Sequence, residues 1–365
     1  MSRAAVPNAN STAAGGEGTP VSHRIAIAGT EIAFDCAENQ SVLDAALRAG
    51  IELPYSCRKG VCGNCAGGIA QGEVAGLEGS SIRNESCTPE QVLYCMCTPT
   101  ADLQIAPVSW HRIDPGARKR FTAKVFRNQL AAPDVSVLQL RLPAGQRAKF
   151  HAGQYLQLAV GDGSTRCYSM ANAPHESDAL TLHIRHVEGG AFSARVPALQ
   201  QGDLLDVELP FGAVTLEAAS TRPIVFVAGG TGFAPIKSIL DDMAKRRIER
   251  PVTLIWGARR AEGIYLQSAV AKWQRQWPGS FRFVAALSEE AGDAAEDAFS
   301  GRVDQALQAH CCELAGHELY CCGSPGMVQA VRDLAVRQLG LAAADFHADV
   351  FVDGPALSAA ETAAA

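Results

Sequence analysis

The sequence lacks the features that mark a membrane protein, a secreted protein or a nucleic-acid-binding protein. No apolar run approaches the roughly 18 residues that a transmembrane helix needs. The first twenty residues contain no apolar core of a signal peptide. The net charge is −6, from 32 basic and 38 acidic residues, whereas nucleic-acid-binding domains are strongly basic. We therefore expect neither a membrane nor a nucleic acid as a partner.

Histidine is missing from residues 24 to 110, although this stretch is rich in cysteine. Cys57, Cys62 and Cys65 follow the spacing C-x4-C-x2-C, and Cys95 comes after twenty-nine further residues. This spacing is typical of plant-type [2Fe-2S] sites, which are held by four thiolates. Structural zinc usually takes two C-x2-C pairs, or cysteine with histidine, and a disulfide framework suits a short secreted chain. We interpret the four cysteines as ligands of a [2Fe-2S] cluster.

The fourth ligand has two alternatives, Cys87 and Cys97. Cys95 is favoured because residues 92–94 (V-L-Y) have the pattern of a strand that leads to it. Cys87 adjoins a Thr-Pro turn and is interpreted as a bystander. An exposed cluster loop favours a reducing compartment, so we expect a cytoplasmic protein.

Residues 23–110 have the pattern of a β-grasp ferredoxin domain. Apolar residues alternate from residue 24 to residue 34 on both sides of a Gly-Thr turn, as in a hairpin with one buried face. Ser41 is a suitable N-cap for a helix, with Asp44 three residues later, and Gly50 is placed to end that helix. Hairpin, helix, cluster loop and returning strand together predict this domain.

Residues 121–217 contain short alternating apolar runs separated by turns, the pattern of a small β-barrel. Two stretches in it carry chemistry, 166–169 (R-C-Y-S) and 189–193 (G-G-A-F-S). An arginine can pair with a phosphate, a tyrosine can stack on a ring, and the amides of a glycine turn can hold a pyrophosphate. Each stretch has an ordinary alternative, because Tyr168 can be a core aromatic and the two glycines a hairpin turn. Together they predict a flavin site.

From residue 222 onward, continuous apolar runs alternate with helical patterns, as in a doubly wound parallel sheet. The first run, 223–228, leads into G-G-T-G at 229–232, where glycines allow phosphates to approach a helix N-terminus. This run departs from G-x-G-x-x-G and indicates a different subclass of nucleotide site; a plain strand–helix turn is the alternative. Arg259 and Arg260 follow the second strand, where arginine can meet a 2′-phosphate, and they favour NADPH. Their alternative is two ordinary surface arginines.

The predicted fold is therefore multidomain, α+β and α/β. The predicted segments are a disordered tail at 1–22, the ferredoxin domain at 23–110, a linker at 111–120, a flavin-binding antiparallel Greek-key barrel at 121–217, a Rossmann-like NAD(P)H-binding domain at 218–353 and a disordered tail at 354–365.

With these motifs in this order, the chain resembles the reductase components of bacterial aromatic-ring-hydroxylating dioxygenases. The likeness includes L-P-Y-S-C-R-K-G at 53–60, S-M-A-N at 169–172, A-G-G-T-G-F-A-P at 228–235 and H-A-D-V-F at 347–351. It implies an enzyme that takes hydride from NADPH, or NADH, onto FAD and passes single electrons through the [2Fe-2S] cluster to a Rieske-type oxygenase component. It further implies terephthalate as the aromatic substrate of that oxygenase.

The resemblance also assigns roles to individual residues. The expected flavin-binding residues are Arg166, Tyr168, Ser169, His183, Arg185, Gly190 and Ser193, with Phe351 as a cover for the flavin ring. The expected nucleotide-binding residues are Gly229, Gly230, Thr231, Gly232, Arg259, Arg260 and Gly323. Cys322, Thr231 and Ser169 are the expected catalytic residues, with Cys322 beside the nicotinamide. We expect the oxygenase to dock near the cluster loop, on exposed Arg58 and Lys59.

Three alternatives share parts of this architecture. Reductases of di-iron monooxygenases and of deoxysugar-forming dehydratases have the same three domains. A non-catalytic redox sensor needs the cluster but no nicotinamide site, so the G-G-T-G turn at 229–232 counts against it.

Overall fold

The computed structural model describes residues 21–56, 58, 60–114, 118–161, 163–217, 219–289 and 298–351, together with the backbone of 356–358. Cys57, Lys59 and nearly all of the predicted N-terminal tail lie outside the described residues. None of the helices in the described ranges combines the length and the apolar character needed to cross a membrane.

The N-terminal region is a five-stranded mixed sheet with one helix packed on it. Its elements are β1 (Ser22–Ile27), β2 (Ala33–Ala37), α1 (Val42–Arg48), β3 (Ile51–Glu52), β4 (Ala66–Gln71), β5 (Val74–Gly76), a 3₁₀ turn (Leu77–Gly79), β6 (Gln91–Leu93), β7 (Cys97–Pro99), β8 (Leu103–Pro107) and β9 (His111–Arg112). The strand order is β2-β1-β8-β4-β6, with β1 and β8 parallel.

Local signals predicted this region well. The hairpin of β1 and β2 is antiparallel, as expected. The Ser41 side chain caps α1 by accepting a hydrogen bond of 3.0 Å from the backbone N–H of Asp44. The predicted linker at 111–120 is wrong at both ends, because β9 pairs with β3 and the next strand already includes Lys119 and Arg120. The connection between the ferredoxin region and the next region is therefore shorter than the predicted linker.

The middle region is an antiparallel barrel around one apolar core. Its elements are β10 (Lys119–Ala132), β11 (Val135–Arg141), β12 (Tyr155–Ala159), β13 (Ser164–Ser169), β14 (Ala179–Arg185), a 3₁₀ helix (Ser193–Ala198) and β15 (Leu204–Phe211). The order is β14-β11-β10-β15-β12-β13, and a bridge between Met170 and Leu182 links the two outer strands.

The C-terminal region is a six-stranded parallel sheet in the order β19-β18-β17-β16-β20-β21. Its elements are β16 (Ile224–Gly229), a 3₁₀ turn (Gly230–Gly232), α2 (Phe233–Arg246), β17 (Val252–Ala258), a 3₁₀ turn (Ala261–Gly263), α3 (Gln267–Gln276), β18 (Phe281–Leu287), β19 (Ala298–Ser300), α4 (Val303–His310), β20 (Glu318–Gly323), α5 (Pro325–Arg337), a 3₁₀ turn (Ala343–Asp345) and β21 (Phe346–Val350).

Helices cover both faces of this sheet, with α2 and α3 in one apolar core and α4 and α5 in the other. The strand order reverses between β16 and β20, and ligands bind outside the carboxyl ends of strands at such a switch point. The predicted C-terminal tail at 354–365 is wrong in part, because β22 (Ala356–Ser358) pairs with β13.

Candidate functional site

One cavity of about 730 Å³ lies where the three regions meet. Its walls include Ser56 of the ferredoxin region, Ser169 of the barrel and Asp349 of the parallel sheet. Twelve of the predicted cofactor residues line it: Arg166, Tyr168, Ser169, His183, Arg185, Gly190, Ser193, Gly229, Thr231, Arg259, Gly323 and Phe351. Four others in the described ranges lie outside its walls: Gly230, Gly232, Arg260 and Cys322.

The barrel contributes its wall through β13. Arg166 donates to Ser164 Oγ at 3.0 Å and to the Thr165 carbonyl at 2.9 Å, so its guanidinium is held along its own strand. The ring of Tyr168 lies 5.7 Å from that of Phe192, and burial raises the pKa of Tyr168. Tyr168 packs on the barrel core and also lines the cavity, so both of its expected roles are compatible with the fold.

His183 supplies a test of whether the cavity suits a polar ligand. The residue is 5% exposed, and its Nδ1 lies 3.0 Å from the hydroxyl oxygen of Tyr265. Its Nε2 is buried without a hydrogen-bond partner. Burial lowers the pKa of His183 to about 3, so the imidazole is neutral at physiological pH. A buried polar atom in a cavity wall calls for a partner, and the polar edge of a flavin would provide one.

The glycine turn after β16 permits two close backbone approaches. A Cβ on Gly232 would lie 2.0 Å from the carbonyl oxygen of Cys322, so only glycine lets α2 begin this close to β20. Gly230 has a φ of +54°, and a Cβ there would lie 2.4 Å from Arg185 Nη2. These contacts explain why both glycines are needed although neither lines the cavity.

Cys322, expected beside the nicotinamide, is buried and does not itself line the cavity. It is 2% exposed in the apolar core under the cavity, and burial raises the pKa of its thiol well above the usual value. Its neighbour Gly323 lines the cavity instead, and accepts a hydrogen bond of 2.8 Å from the backbone N–H of Phe351. Phe351 is thereby held in the wall, where a flavin cover is expected.

The two predicted 2′-phosphate ligands share a carboxylate. Arg259 and Arg260 lie 3.6 Å and 3.9 Å from oxygens of Glu289, and all three side chains are exposed. The backbone N–H of Glu289 also donates to the Arg259 carbonyl at 2.9 Å. A negative charge therefore sits beside the positive charges that a 2′-phosphate would meet.

Three of the four predicted cluster ligands are buried cysteines of the ferredoxin region. Cys62, Cys65 and Cys95 are 2%, 3% and 6% exposed, while Cys57 lies outside the described residues. Cys65 Sγ and Cys95 Sγ are 3.2 Å apart. Gly60 and Gly63 have φ of +73° and +77°, and the Asn64 amide lies 3.5 Å from Cys62 Sγ as a donor.

The positions of Cys65 and Cys95 are compatible with a cluster of two irons. Four cysteines shared between two irons leave two for each, and Cys65 and Cys95 already form such a pair. The hydrogen bond to Cys95, followed by burial, raises the pKa of the Cys65 thiol. Binding of iron by this thiol would therefore displace a proton.

The expectation that Arg58 is exposed for docking is wrong. Its side chain is 20% exposed, lines the cavity and forms an ion pair with Asp44 of α1. A docking surface near the loop therefore cannot rely on this charge.

Three family models match the chain in the order of these regions. They are "2Fe-2S iron-sulfur cluster binding domain" over residues 25–100, "Oxidoreductase FAD-binding domain" over 122–216 and "Oxidoreductase NAD-binding domain" over 226–333. The match confirms the predicted cofactors, FAD, a [2Fe-2S] cluster and a nicotinamide dinucleotide.

Two relatives from Comamonas sp extend the similarity to nearly the whole chain. Terephthalate 1,2-dioxygenase reductase component 2 is 59% identical over 335 residues, covering 92% of this chain and 99% of the relative. Reductase component 1 is 58% identical with the same coverage. The chain belongs to the family of dioxygenase reductase components. The predicted family is thereby confirmed, and this reductase is an NAD(P)H-dependent electron-transfer enzyme with FAD and a [2Fe-2S] cluster.

A solved structure confirms the predicted fold class of the reductase. The crystal structure of Amycolatopsis cytochrome P450 reductase GcoB matches with a TM-score of 0.70 and 30% identity, over 90% of this chain and 98% of that one. Ferredoxin, barrel and parallel sheet therefore occur in one known arrangement.

Sequence reasoning missed the residue that joins the walls of the reductase's cavity. Asp349, on β21, is 9% exposed, and its two carboxylate oxygens each lie 3.2 Å from a hydroxyl, those of Ser56 and Ser169. Ser169 is itself 7% exposed. The signal was an acidic residue between Ala348 and Val350 of a strand pattern, where an unpaired buried carboxylate would be costly.

Proposed function

We propose that this reductase supplies electrons from NADPH to the oxygenase component of a terephthalate dioxygenase. The observation that carries the proposal is the 59% identity, over 92% of the chain, to a terephthalate 1,2-dioxygenase reductase component. The cavity supports it, because cluster loop, barrel and nucleotide sheet all contribute to its walls. Electron transfer between separate cofactors requires such a meeting point.

The residues around the cavity suit FAD. When bound, FAD takes a hydride from NAD(P)H and releases electrons singly, and the cluster carries them one at a time. Arg166 and the turn before Ser193 would hold phosphates, and Tyr168 would lie against the ring. Neutral His183 would hydrogen-bond a polar edge through its unpaired Nε2.

We assign Ser169 and Thr231, two of the expected catalytic residues, a positioning role in hydride transfer. The Ser169 hydroxyl is oriented because it donates to the Asp349 carboxylate. Thr231 lies 9% exposed in the turn that would present the dinucleotide. Cys322 keeps its proton because of burial, so we assign it packing under the nicotinamide position rather than acid–base chemistry.

The terminal acceptor is proposed to be a Rieske-type oxygenase that docks near the cluster loop. The sequence assigned electrostatic steering of docking to Arg58 and Lys59. Because Arg58 is paired with Asp44, we now assign that steering to Lys59 alone. A cytoplasmic location is proposed as well, and the eleven cysteines of the described residues, none of them in a disulfide, support a reducing compartment.

Anaerobic mixing with NADPH tests the catalytic half. We expect flavin and cluster absorbance to bleach within seconds. Purified partner enzymes then test the electron acceptor. The reductase should support turnover by the oxygenase component of a terephthalate dioxygenase faster than turnover by a di-iron monooxygenase or a deoxysugar dehydratase. Equal coupling to all three would reject the proposed partner while leaving the reductase activity intact.

A further inference from the structure

Strand β21 is the edge of the parallel sheet, and the ferredoxin loop contacts three of its residues in succession. Asn64 Nδ2 donates to the Ala348 carbonyl at 2.9 Å, and Ser56 Oγ donates to Asp349 Oδ1 at 3.2 Å. The backbone N–H of Val350 donates to Ser56 Oγ at 3.3 Å. The loop thus covers part of an edge that would otherwise present unpaired backbone groups.

The two loop residues occupy informative positions. Ser56 immediately precedes Cys57, and Asn64 immediately precedes Cys65, so each directly adjoins a predicted cluster ligand. Cys62, a third predicted ligand, packs in the apolar core that α4 and α5 form with the sheet. Any shift of β21 relative to the ferredoxin region would therefore shift the ligands themselves.

Asp349 extends the contact to the flavin wall. Its second carboxylate oxygen accepts from Ser169 Oγ, so one carboxylate joins loop, sheet and barrel. The three residues are separated by 293 and 180 positions along the chain. Both Asp349 and Ser169 are buried, where hydrogen bonds to a charged group are strong and an unmade one is costly. The exposed ion pair of Arg337 with Glu85, at 3.0 Å, adds little to this junction.

We propose that β21 positions the cluster loop for single-electron transfer, with Ser56, Asn64 and Asp349 as its positioning residues. The inference rests on the proposed function. It adds which part of the chain sets the rate of electron transfer from the flavin to the cluster. Each NAD(P)H delivers two electrons and the cluster takes one at a time, so one hydride supports two passages across this junction. A misplacement of about 1 Å at a reacting site can lower a rate by about 100-fold.

Stopped-flow absorbance of the loaded reductase mixed with NADPH tests the inference. Asn64→Ala removes the bond to Ala348, and Ser56→Ala removes two bonds. We expect cluster reduction to slow by about threefold in Asn64→Ala and by about tenfold in Ser56→Ala, because the second change removes two bonds and the first removes one. In Asn64→Ala, whose altered residue does not line the cavity, flavin reduction by NADPH should stay within about twofold of wild type. Ser81→Ala is the matched control and should leave both phases unchanged, because this exposed serine of the same region donates to the Arg83 carbonyl and accepts from the Arg83 backbone N–H, and neither bond involves β21.

Hydrogen exchange of the reductase without NADPH gives a second readout. In Asn64→Ala the acceptor of the Val350 amide, Ser56 Oγ, is still present. If the loop and β21 form one junction, this amide should nevertheless exchange several-fold faster than in wild type. Asp349→Asn, which keeps the shape but not the charge, should lie between wild type and Ser56→Ala in cluster reduction.

The outcomes separate this inference from the function on which it rests. Wild-type cluster reduction together with unchanged rates in both loop variants would overturn the positioning role and leave the proposed function standing. Equal slowing of flavin and cluster reduction would overturn it too, because a general loss of structure would then explain the data. Failure of wild type to reduce its cluster with either NADPH or NADH would reject both.

Discussion

The cluster loop and strand β21 pack against each other, but the sequence encodes their functional features differently. The loop carries its chemistry in local spacing, with three predicted ligands within residues 57–65. Strand β21 has an ordinary strand pattern, and its contacts with Ser56, Asn64 and Ser169 come from residues far away in the chain. Ligand chemistry is therefore encoded locally, whereas the relative position of two sites is encoded by packing.

The largest effect should come from the local side of this comparison. We expect Cys65→Ser to abolish cluster binding, because loss of a ligand should exceed the roughly 10- to 100-fold loss in affinity seen when a residue that hydrogen-bonds a ligand is changed. Acid-labile sulfide and cluster absorbance measure it, while flavin content should not change. Cys87→Ser is the matched control and should retain the cluster; a cluster lost from Cys87→Ser instead would reject Cys95 as the preferred fourth ligand.

The next effect tests close packing in the nucleotide region. We expect Gly232→Ala to lower the free energy of unfolding by about 3 kcal/mol, because its Cβ would meet the Cys322 carbonyl at 2.0 Å. Urea unfolding measures the loss. Gly326→Ala in α5 is the control: a Cβ there meets nothing within 4 Å, and the change should be neutral or stabilising by up to about 1 kcal/mol. Equal effects at the two positions would remove the packing argument.

A third prediction concerns pH and the buried imidazole of the barrel. The pKa of His183 is about 3 in the folded chain, against about 6.5 in the unfolded chain. Between these values the unfolded state binds the extra proton, so acidification should destabilise the fold by about 1.4 kcal/mol per pH unit. The stabilisation is complete above about pH 6.5 and declines as the pH falls towards 3.

Urea unfolding of the flavin-free protein at pH values from 7 to 5 measures this pH dependence of stability. Pulsed hydrogen exchange, measured on peptides from the barrel, follows the unfolding. His183→Gln should lose that pH dependence, and the exposed His175→Gln should keep it. Parallel pH curves for wild type and His183→Gln would contradict the burial argument.

The smallest effect is expected at the exposed arginine pair. Glu289→Gln removes the carboxylate near Arg259 and Arg260 and should raise the NADPH-to-NADH ratio of kcat/KM by about threefold, in line with the weak energies of exposed ion pairs. Steady-state reduction of an artificial acceptor measures it. Glu262→Gln, another exposed carboxylate in the same region, should leave the ratio unchanged. A fall in the ratio for Glu289→Gln would mean that the arginines do not meet a 2′-phosphate.

Much of the fold could be predicted because its signals are short-range. The hairpin of β1 and β2, the Ser41 cap and the alternation of strands and helices after residue 222 depend on neighbours within a few positions. Errors occurred where a backbone segment finds a distant partner. β9 pairs with β3 and β22 pairs with β13, and neither pairing leaves a pattern in its own few residues.

The candidate site divides in the same way. Cluster cysteines, flavin-wall residues and the glycine turn were recognised from their spacing, and most of the cofactor residues line one cavity. Arg58 was wrongly expected to be exposed, since exposure depends on what packs over a residue. Asp349 was missed because its partners, Ser56 and Ser169, are recognisable only once the chain has folded.

By itself, the sequence determined which chemical groups this reductase offers: thiols at ligand spacing, a flavin-binding strand and a glycine turn for a dinucleotide. Only the tertiary structure decided where those groups stand relative to one another, and which charges remain exposed. The physical reason is that ligand spacing and glycine conformations are properties of a few consecutive residues. Burial, ion pairing and the Ser56–Asp349–Ser169 junction depend instead on surfaces that meet only when the three regions pack together.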